Sequence, residues 1–270
     1  MLELNKIYNM DCIEGMKLLD NNSVDLIVTS PPYNVGVDYD KCNDSLPWGE
    51  YIDWCKKWLK ECYRVLKDDG RICINHYLNY DVGEGICRFP LFDIRNIMED
   101  IGYTVHKLCI WEDKTVTKLT AWGSWLSASA PNILTPYEGI LVAYKKQWKK
   151  VNKGKSTIGK KQFMEGVSGI WKLGTVRGKT KACFPESLPN MCIQLLTYEG
   201  DTVLDPFMGS GTTAVVAKKT KRNFIGFELS EDYCNIANAR LVGSEPKVIQ
   251  KLGNGKALEK VEIADFFEKM

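Results

Sequence analysis

The chain alternates between short apolar runs and longer stretches with helical spacing. Residues 24–29 are mostly apolar and stop at Ser30-Pro31-Pro32, the pattern of a strand ended by prolines. Over residues 48–66, Tyr51, Trp54, Cys55, Trp58, Leu59, Cys62 and Leu66 recur at helical intervals. Asp68-Asp69-Gly70 predicts a turn, and residues 71–75 a second buried strand. Residues 91–101 predict a helix ended by Gly102; residues 104–111 and 139–144 predict strands. After a Lys/Gly-rich stretch with weak periodicity (145–169, expected to be loop-rich) come a helix over 188–198 and a strand at 202–204. A helix over 211–220, a strand at 224–227 and an amphipathic helix over 231–241 follow, with a short helix at 263–270. No internal repeat is present.

Strands alternating with helices predict an α/β fold, a mostly parallel sheet with helices on both faces. Such sheets bind ligands at the carboxyl ends of their strands. The 270 residues suffice for one large domain with a modest insert. No run approaches the roughly 18 apolar residues of a membrane span. The N-terminal residues lack a signal-peptide pattern, so we expect no membrane partner and a cytoplasmic protein.

The ten cysteines include no C-x-x-C pair, and His76 and His106 are the only histidines. Cys12, Cys73, Cys109 and Cys192 lie in apolar or mixed segments, so reduced core thiols are expected and no metal. The net charge of +2 conceals an asymmetry. Residues 145–181 hold twelve Lys/Arg and one acid, leaving 24 basic and 33 acidic residues elsewhere. A basic segment on an acidic body fits a phosphate-binding surface or a solvated loop.

Two strand ends carry unusual sequences. Asp205-Pro206-Phe207-Met208-Gly209-Ser210-Gly211-Thr212-Thr213 leads into an Ala/Val-rich helix. Its glycines permit a tight turn close to a ligand, and the helix start offers free N–H groups. Glu228 ends the next strand, where an acid can accept ribose hydroxyls. Gly209-x-Gly211-x-x-Ala214 also fits a dinucleotide fingerprint, which makes an NAD-dependent dehydrogenase a rival reading. Asp205 argues against it, because an acid at the strand end suits a cationic ligand better than a diphosphate.

At the other end, Ser30-Pro31-Pro32-Tyr33-Asn34 forms a rigid turn that presents carbonyl oxygens and an aromatic ring. An exocyclic base amine is a poor nucleophile because its lone pair is delocalised into the ring. Two acceptors aimed at its N–H bonds, Ser30 Oγ and the Pro31 carbonyl, would favour a tetrahedral nitrogen. Tyr33 would stack on a base rotated out of a duplex.

With these residues the chain resembles the amino-methyltransferase family of DNA-modifying enzymes, in the subgroup whose catalytic motif precedes the cofactor motif. Thr29-Ser30-Pro31-Pro32-Tyr33-Asn34 matches the catalytic motif, and Asp205 to Thr213 the D-P-F-x-G-S-G-T-T cofactor loop. Tyr8-Asn9-Met10-Asp11-Cys12 resembles the segment whose acid contacts the cofactor adenine, with Met10 where glycine is common. Lys181-Ala182-Cys183-Phe184-Pro185-Glu186 resembles the segment that closes over the methionine part, without its leading His-Pro. The resemblance spans about residues 4–241. It implies a Rossmann-like S-adenosylmethionine-dependent methyltransferase fold acting by base flipping and in-line attack. Ser30, Pro31, Pro32 and Tyr33 would be catalytic. Asp11, Cys12, Phe184, Pro185, Asp205, Phe207, Gly209, Ser210, Gly211, Thr212 and Glu228 would bind the cofactor. Serine before Pro-Pro accompanies N4-cytosine methylation in this family and aspartate N6-adenine, so N4-cytosine is expected and N6-adenine is the alternative. RNA, protein glutamine, or DNA binding without catalysis are more distant readings.

The resemblance divides the chain into a catalytic half (1–144), a basic target-recognition insert (145–180), a cofactor-binding half (181–242) and a tail (243–270). Double-stranded DNA is the implied partner, with Lys145, Lys146, Lys149, Lys150, Lys160, Lys161 and Arg177 on its phosphates. Gln147, Gln162 and Arg177 are candidates for reading bases. A cognate restriction endonuclease and a homodimer are further expectations. Trp122, Trp125 and Trp148 are expected in the core. Asn34, Asp38 and Asn75 are expected near the pocket, and His76 in a structural role.

Overall fold

The computed structural model describes residues 2–37, 44–82, 86–113, 123–174 and 184–244. In chain order the elements begin with β1 (Lys6–Asn9), α1 (Cys12–Lys17), β2 (Val24–Thr29), α2 (Trp48–Val65) and β3 (Leu66–Tyr77). A small hairpin, β4 (Tyr80–Asp81) and β5 (Cys87–Arg88), leads to α3 (Pro90–Ile101), β6 (Thr104–Asp113) and β7 (Tyr137–Tyr144). Then come α4 (Lys160–Val167), β8 (Ile170–Leu173), α5 (Ser187–Leu196), β9 (Thr202–Asp205), α6 (Thr212–Lys219), β10 (Asn223–Glu228) and α7 (Glu231–Leu241).

Eight strands form one sheet in the order β1-β10-β9-β2-β3-β7-β6-β8. Neighbours pair in parallel except at β7, which runs antiparallel to both β3 and β6. Every residue of β2 is buried, because the strand lies at the centre with helices on both faces. Ile27 faces the layer of α1, α2 and α3; Leu26 and Val28 face α5 and α6. The helix predicted over 48–66 is α2, and it buries Tyr51, Cys55, Trp58, Leu59, Cys62 and Val65 on the sheet. Each such aliphatic or aromatic side chain contributes about 1.5–3 kcal/mol. The predicted stop of α3 also holds: Gly102 is left-handed at φ 112° and donates its N–H to the Met98 and Glu99 carbonyls.

Two expectations differ from the structure, and two short elements were not anticipated. Asp68-Asp69-Gly70 does not separate a helix from a strand. Instead α2 runs directly into β3, whose pairing jumps from Leu66 opposite Val24 to Arg71 opposite Leu26. Residues 67–70 bulge from the ladder in place of the turn. The loop-rich stretch carries α4, and β8 beyond it extends the sheet by pairing with β6. Short β1 and α1 escape periodicity, although Asp11 caps α1 by accepting the N–H groups of Ile13 and Glu14. The helix expected over 263–270 lies outside the described residues. The described cysteines are free and all buried except Cys87. Among the described residues no helix is long and apolar enough to cross a membrane.

Candidate active site

Four adjacent parallel strands, β1, β10, β9 and β2, deliver Asp11, Glu228, Asp205 and Ser30 to one edge of the sheet. The next strand, β3, brings Asn75 and His76 to that same carboxyl edge. Because β7 is reversed, it brings its first residues there too: Glu138 lies opposite Tyr77.

The Ser30–Tyr33 turn is held from several sides. Tyr51 of α2 donates its hydroxyl to the Pro32 carbonyl at 2.8 Å. Its proton is thus committed, so the 3.2 Å contact with His76 Nε2 places the imidazole proton on Nε2. Asn34, left-handed at φ 57°, ties the next residues down. Its side chain bonds both the N–H and the carbonyl of Leu46, while the Asp44 carboxylate accepts the N–H groups of Asn34, Val35 and Val37. Asn34 therefore shapes the loop, and Asp38 lies outside the described residues.

Tyr33 is only 8% exposed, and its ring stacks on His76 at 4.1 Å between centroids. Its hydroxyl accepts from Ser30 Oγ at 2.9 Å and from Asn75 Nδ2 at 2.6 Å, and it donates to Glu138 Oε2 at 2.7 Å. Asn75 Nδ2 also donates to Glu138 Oε2 at 2.6 Å. Burial, reinforced by the Glu138 charge, holds the Tyr33 phenol well above its ordinary range. Burial pushes His76 down to about 3, so it is neutral and a weak base, in line with its expected structural role. Glu138 went unnoticed in the sequence. The only signal was an acid opening an otherwise apolar strand.

Asp205 is 1% exposed and joins the two unusual strand ends. Its Oδ1 accepts from Thr29 Oγ1 at 2.7 Å and from Phe207 N at 3.1 Å, and its Oδ2 from Thr213 Oγ1 at 2.6 Å. Burial lifts its carboxyl to about 6 despite these bonds. Gly209 and Gly211 have φ of 52° and 80°, as the glycine turn requires. A Cβ on Gly211 would sit 2.7 Å from Ala237 Cβ, so α7 packs against this turn. Gly209 N donates to Glu228 Oε2 at 2.8 Å and Ser230 N to Oε1 at 2.9 Å; burial raises the Glu228 pKa. Each carboxylate oxygen keeps a further lone pair for a ligand.

Arg240 of α7 also escaped the sequence reading. Its guanidinium donates to the Ser210 carbonyl, Ser210 Oγ and Thr212 Oγ1, and reaches Glu186 at 3.4 Å. It thereby ties the glycine loop to the segment containing Phe184 and Pro185. The Phe207 ring packs on Trp54 and Trp58, and the Cys12 side chain lies in the core. Three acids beside a tight glycine loop fit a nucleoside that carries a cation.

The basic stretch divides in a way its composition did not show. Lys145 is buried and donates to Asn22 Oδ1 and the Leu66 carbonyl, both at 2.8 Å. Lys150 is 8% exposed and lies 2.7 Å from Asp25, 3.4 Å from Asp201 and 3.8 Å from Asp69. These two lysines are structural, which corrects their assignment to DNA. Lys146, bonded to Asp68 at 3.0 Å, and Lys149, between Trp148 and Lys150, belong to the same edge. There β2 and β9 begin, while Ser30 follows the far end of β2, six residues or roughly 20 Å away. Gln147 is on this edge too. Lys160 and Lys161 open α4 and are exposed; Gln162 is half-buried. Arg177 and Trp122 lie outside the described residues. Trp125 is 63% exposed, against the core position expected for it. Trp148 packs as expected, stacked on His106 with Arg71 over its ring.

The fold and this edge define a nucleoside-cofactor transferase with a rigid serine–proline turn facing its cofactor loop. The N6/N4 DNA methylase family model matches residues 24–239, and the chain belongs to that family. It is 45% identical over 163 residues to the type II methyltransferase M.MjaVI of Methanocaldococcus jannaschii, covering 60% of this chain and 81% of that one. It is 33% identical to M.BglII of Bacillus subtilis, over 94% of this chain and 73% of the relative. Among solved structures, TTHA0409 of Thermus thermophilus, described as a DNA modification methylase and complexed with S-adenosyl-L-methionine, superposes with a TM-score of 0.71. The two are 26% identical over 94% of this chain and 96% of that one. The PvuII cytosine-N4-specific DNA methyltransferase shares the fold at a TM-score of 0.67 and 21% identity, over 97% of this chain and 89% of that one. Family membership removes the dehydrogenase reading of Gly209 to Ala214.

Proposed function

We propose that this DNA methyltransferase uses S-adenosylmethionine to methylate the N4 amino group of cytosine within a short duplex site. The observation that carries the reading is the direction of the hydrogen bond from Ser30. Its proton goes to Tyr33, so its lone pairs are left to accept from a substrate amine. No hydrogen bond engages the Pro31 carbonyl among the described residues, which leaves a second acceptor on the same turn. Serine rather than aspartate before Pro-Pro favours cytosine, on the resemblance described above. The cofactor supplies a methyl group already activated by its sulfonium charge.

Asp11 and Glu228 would hold the nucleoside part of that cofactor. Asp205, Phe207, Gly209, Ser210, Gly211 and Thr212 would shape the loop around its cationic end, with Phe184 and Pro185 closing over it and Cys12 contributing backbone. The flipped base would rest on the Tyr33 turn, on the side away from His76. Orientation of amine and methyl in line would provide much of the acceleration. Target recognition would fall to the basic stretch beyond Lys150, including Lys160, Lys161 and Arg177. A restriction endonuclease of the same specificity and a second copy of the chain are the expected protein partners.

The test is methyl transfer from labelled S-adenosylmethionine to mixed-sequence duplex DNA, with the product nucleosides separated by mass spectrometry. N4-methylcytosine is expected. N6-methyladenine would keep the chemistry and overturn the base assignment.

A further inference from the structure

Glu138 gives the catalytic turn a fixed proton order. As a carboxylate it only accepts hydrogen bonds. It receives the Tyr33 proton at 2.7 Å and an Asn75 amide proton at 2.6 Å. The other Asn75 amide contact, 2.6 Å to Tyr33 Oη, occupies one phenol lone pair. Tyr33, with its own proton committed, can then only accept from Ser30, which it does at 2.9 Å. Ser30 is left with its lone pairs outward. The chain of bonds from Ser30 through Tyr33 to Glu138 is continuous, and under the proposed function its outer end is the group that would face the substrate amine.

We propose that Glu138 is a positioning residue that orients Ser30 as an acceptor through Tyr33 and serves as the terminal acceptor for the proton the amine sheds. This rests on the amino-methyltransferase reading. After methylation the nitrogen is a cationic, strongly acidic ammonium. Its proton moves to Ser30 Oγ as the Ser30 proton moves to Tyr33 Oη and the Tyr33 proton to the Glu138 carboxylate. The product amine becomes neutral, both hydroxyls are regenerated, and Glu138 ends as a carboxylic acid that returns its proton to solvent. No strong base is needed, because a carboxylate is more basic than such an ammonium.

Tyr33, Tyr77, Asn75 and His76 are among the groups around Glu138. Tyr33 and Tyr77 are both held above the ordinary phenol range, chiefly by burial, with the Glu138 charge adding to it. His76, stacked on Tyr33, stays neutral. Asn75 is not titratable, and across the sheet Trp111 of β6 lies in register with Glu138. Asp44 also acts on Tyr77, and further along the sheet Glu112 of β6 pairs with Lys172 of β8 at 3.3 Å.

The test compares wild type, Glu138→Gln, Glu138→Asp and Tyr33→Phe in single-turnover methylation across pH. S-adenosylmethionine and DNA affinities are measured by calorimetry alongside. Glu138→Gln should lower the single-turnover rate tenfold or more, with both affinities within about twofold of wild type, and should abolish the acid limb of the rate profile. Glu138→Asp keeps a carboxylate and should retain that limb with a partly restored rate. Glu138→Gln combined with Tyr33→Phe should be no slower than Tyr33→Phe alone, since both cut the same chain. Time-resolved infrared difference spectra should show a transient protonated carboxyl during the single turnover in wild type and none in Glu138→Gln. An unchanged rate and profile in Glu138→Gln would overturn the proposal. So would loss of the acid limb in Glu138→Asp as well, which would also decide the matter were Glu138→Gln unstable. Failure of wild type to methylate any nucleoside would instead refute the reading on which the proposal rests.

Discussion

Asp205 shows how one side chain serves both halves of the site and what that costs the fold. Its ordinary carboxyl value of 3.8 rises to about 6 because burial outweighs the bonds from Thr213, Thr29 and Phe207 N. Between about pH 4 and pH 6 the folded protein therefore binds more protons at this residue than the unfolded chain. Its contribution to stability falls as pH rises through that window, by about 3 kcal/mol in all at 1.36 kcal/mol per pKa unit. Asp205→Asn keeps the shape and removes the charge. Urea unfolding from pH 4 to 8 should show the variant gaining on wild type as pH rises, by up to about 3 kcal/mol, while its S-adenosylmethionine affinity falls. A stability difference independent of pH would show that the buried carboxyl does not titrate this way.

At the scale of elements, the start of the basic stretch holds the amino edge of the sheet together. Arg71 of β3 donates to the Leu196 carbonyl at the end of α5 and to the Trp148 carbonyl. Lys150 reaches three acids from three segments: Asp25 in β2, Asp69 in the β3 bulge and Asp201 before β9. Burial would raise Asp25, yet bonds from Lys150, Lys67 and Thr202 N together hold it below its ordinary value. Removing Lys150 strands buried charge, which commonly costs about 3–5 kcal/mol. Lys150→Met should approach the lower figure, since Lys67 still bonds Asp25 at 2.8 Å. Exposed Lys149→Ala should change stability by less than about 0.5 kcal/mol. Denaturant titrations of the two variants check the contrast. Periodicity revealed α2, α3 and the central strands because their buried positions repeat. It missed β1 and β8, four-residue strands that are half exposed and so show no apolar run, whereas β9, equally short, is buried and apolar and stood out.

For the whole molecule, the basic stretch separates into lysines tied to the sheet's amino edge and exposed ones on α4. Lys146 and Lys149 lie on the edge opposite Ser30; Lys160 and Lys161 are exposed at the start of α4, in the stretch proposed to meet DNA. Measured against log salt, DNA affinity should keep its slope in Lys146→Ala/Lys149→Ala. The slope should become shallower by up to about 2 in Lys160→Ala/Lys161→Ala, at about 0.9 per phosphate contact. An equal change in both pairs would mean that DNA also contacts the amino edge at Lys146 and Lys149.

The sequence by itself determined the alternating α/β plan, the Ser30–Tyr33 turn and the Asp205–Thr213 loop. Each is a local pattern: apolar spacing selects strand or helix, and prolines and glycines restrict or free φ where they stand. Only the tertiary structure decided what those motifs touch. Tyr33 and Glu138 are 105 residues apart, and they meet because β7 pairs antiparallel with β3 and starts where the parallel strands end. Lys145 and Lys150 look in sequence like their exposed neighbours. They are structural because the chain turns there onto Asn22, Leu66 and Asp25, partners more than 75 residues away that only the assembled sheet brings within bonding distance.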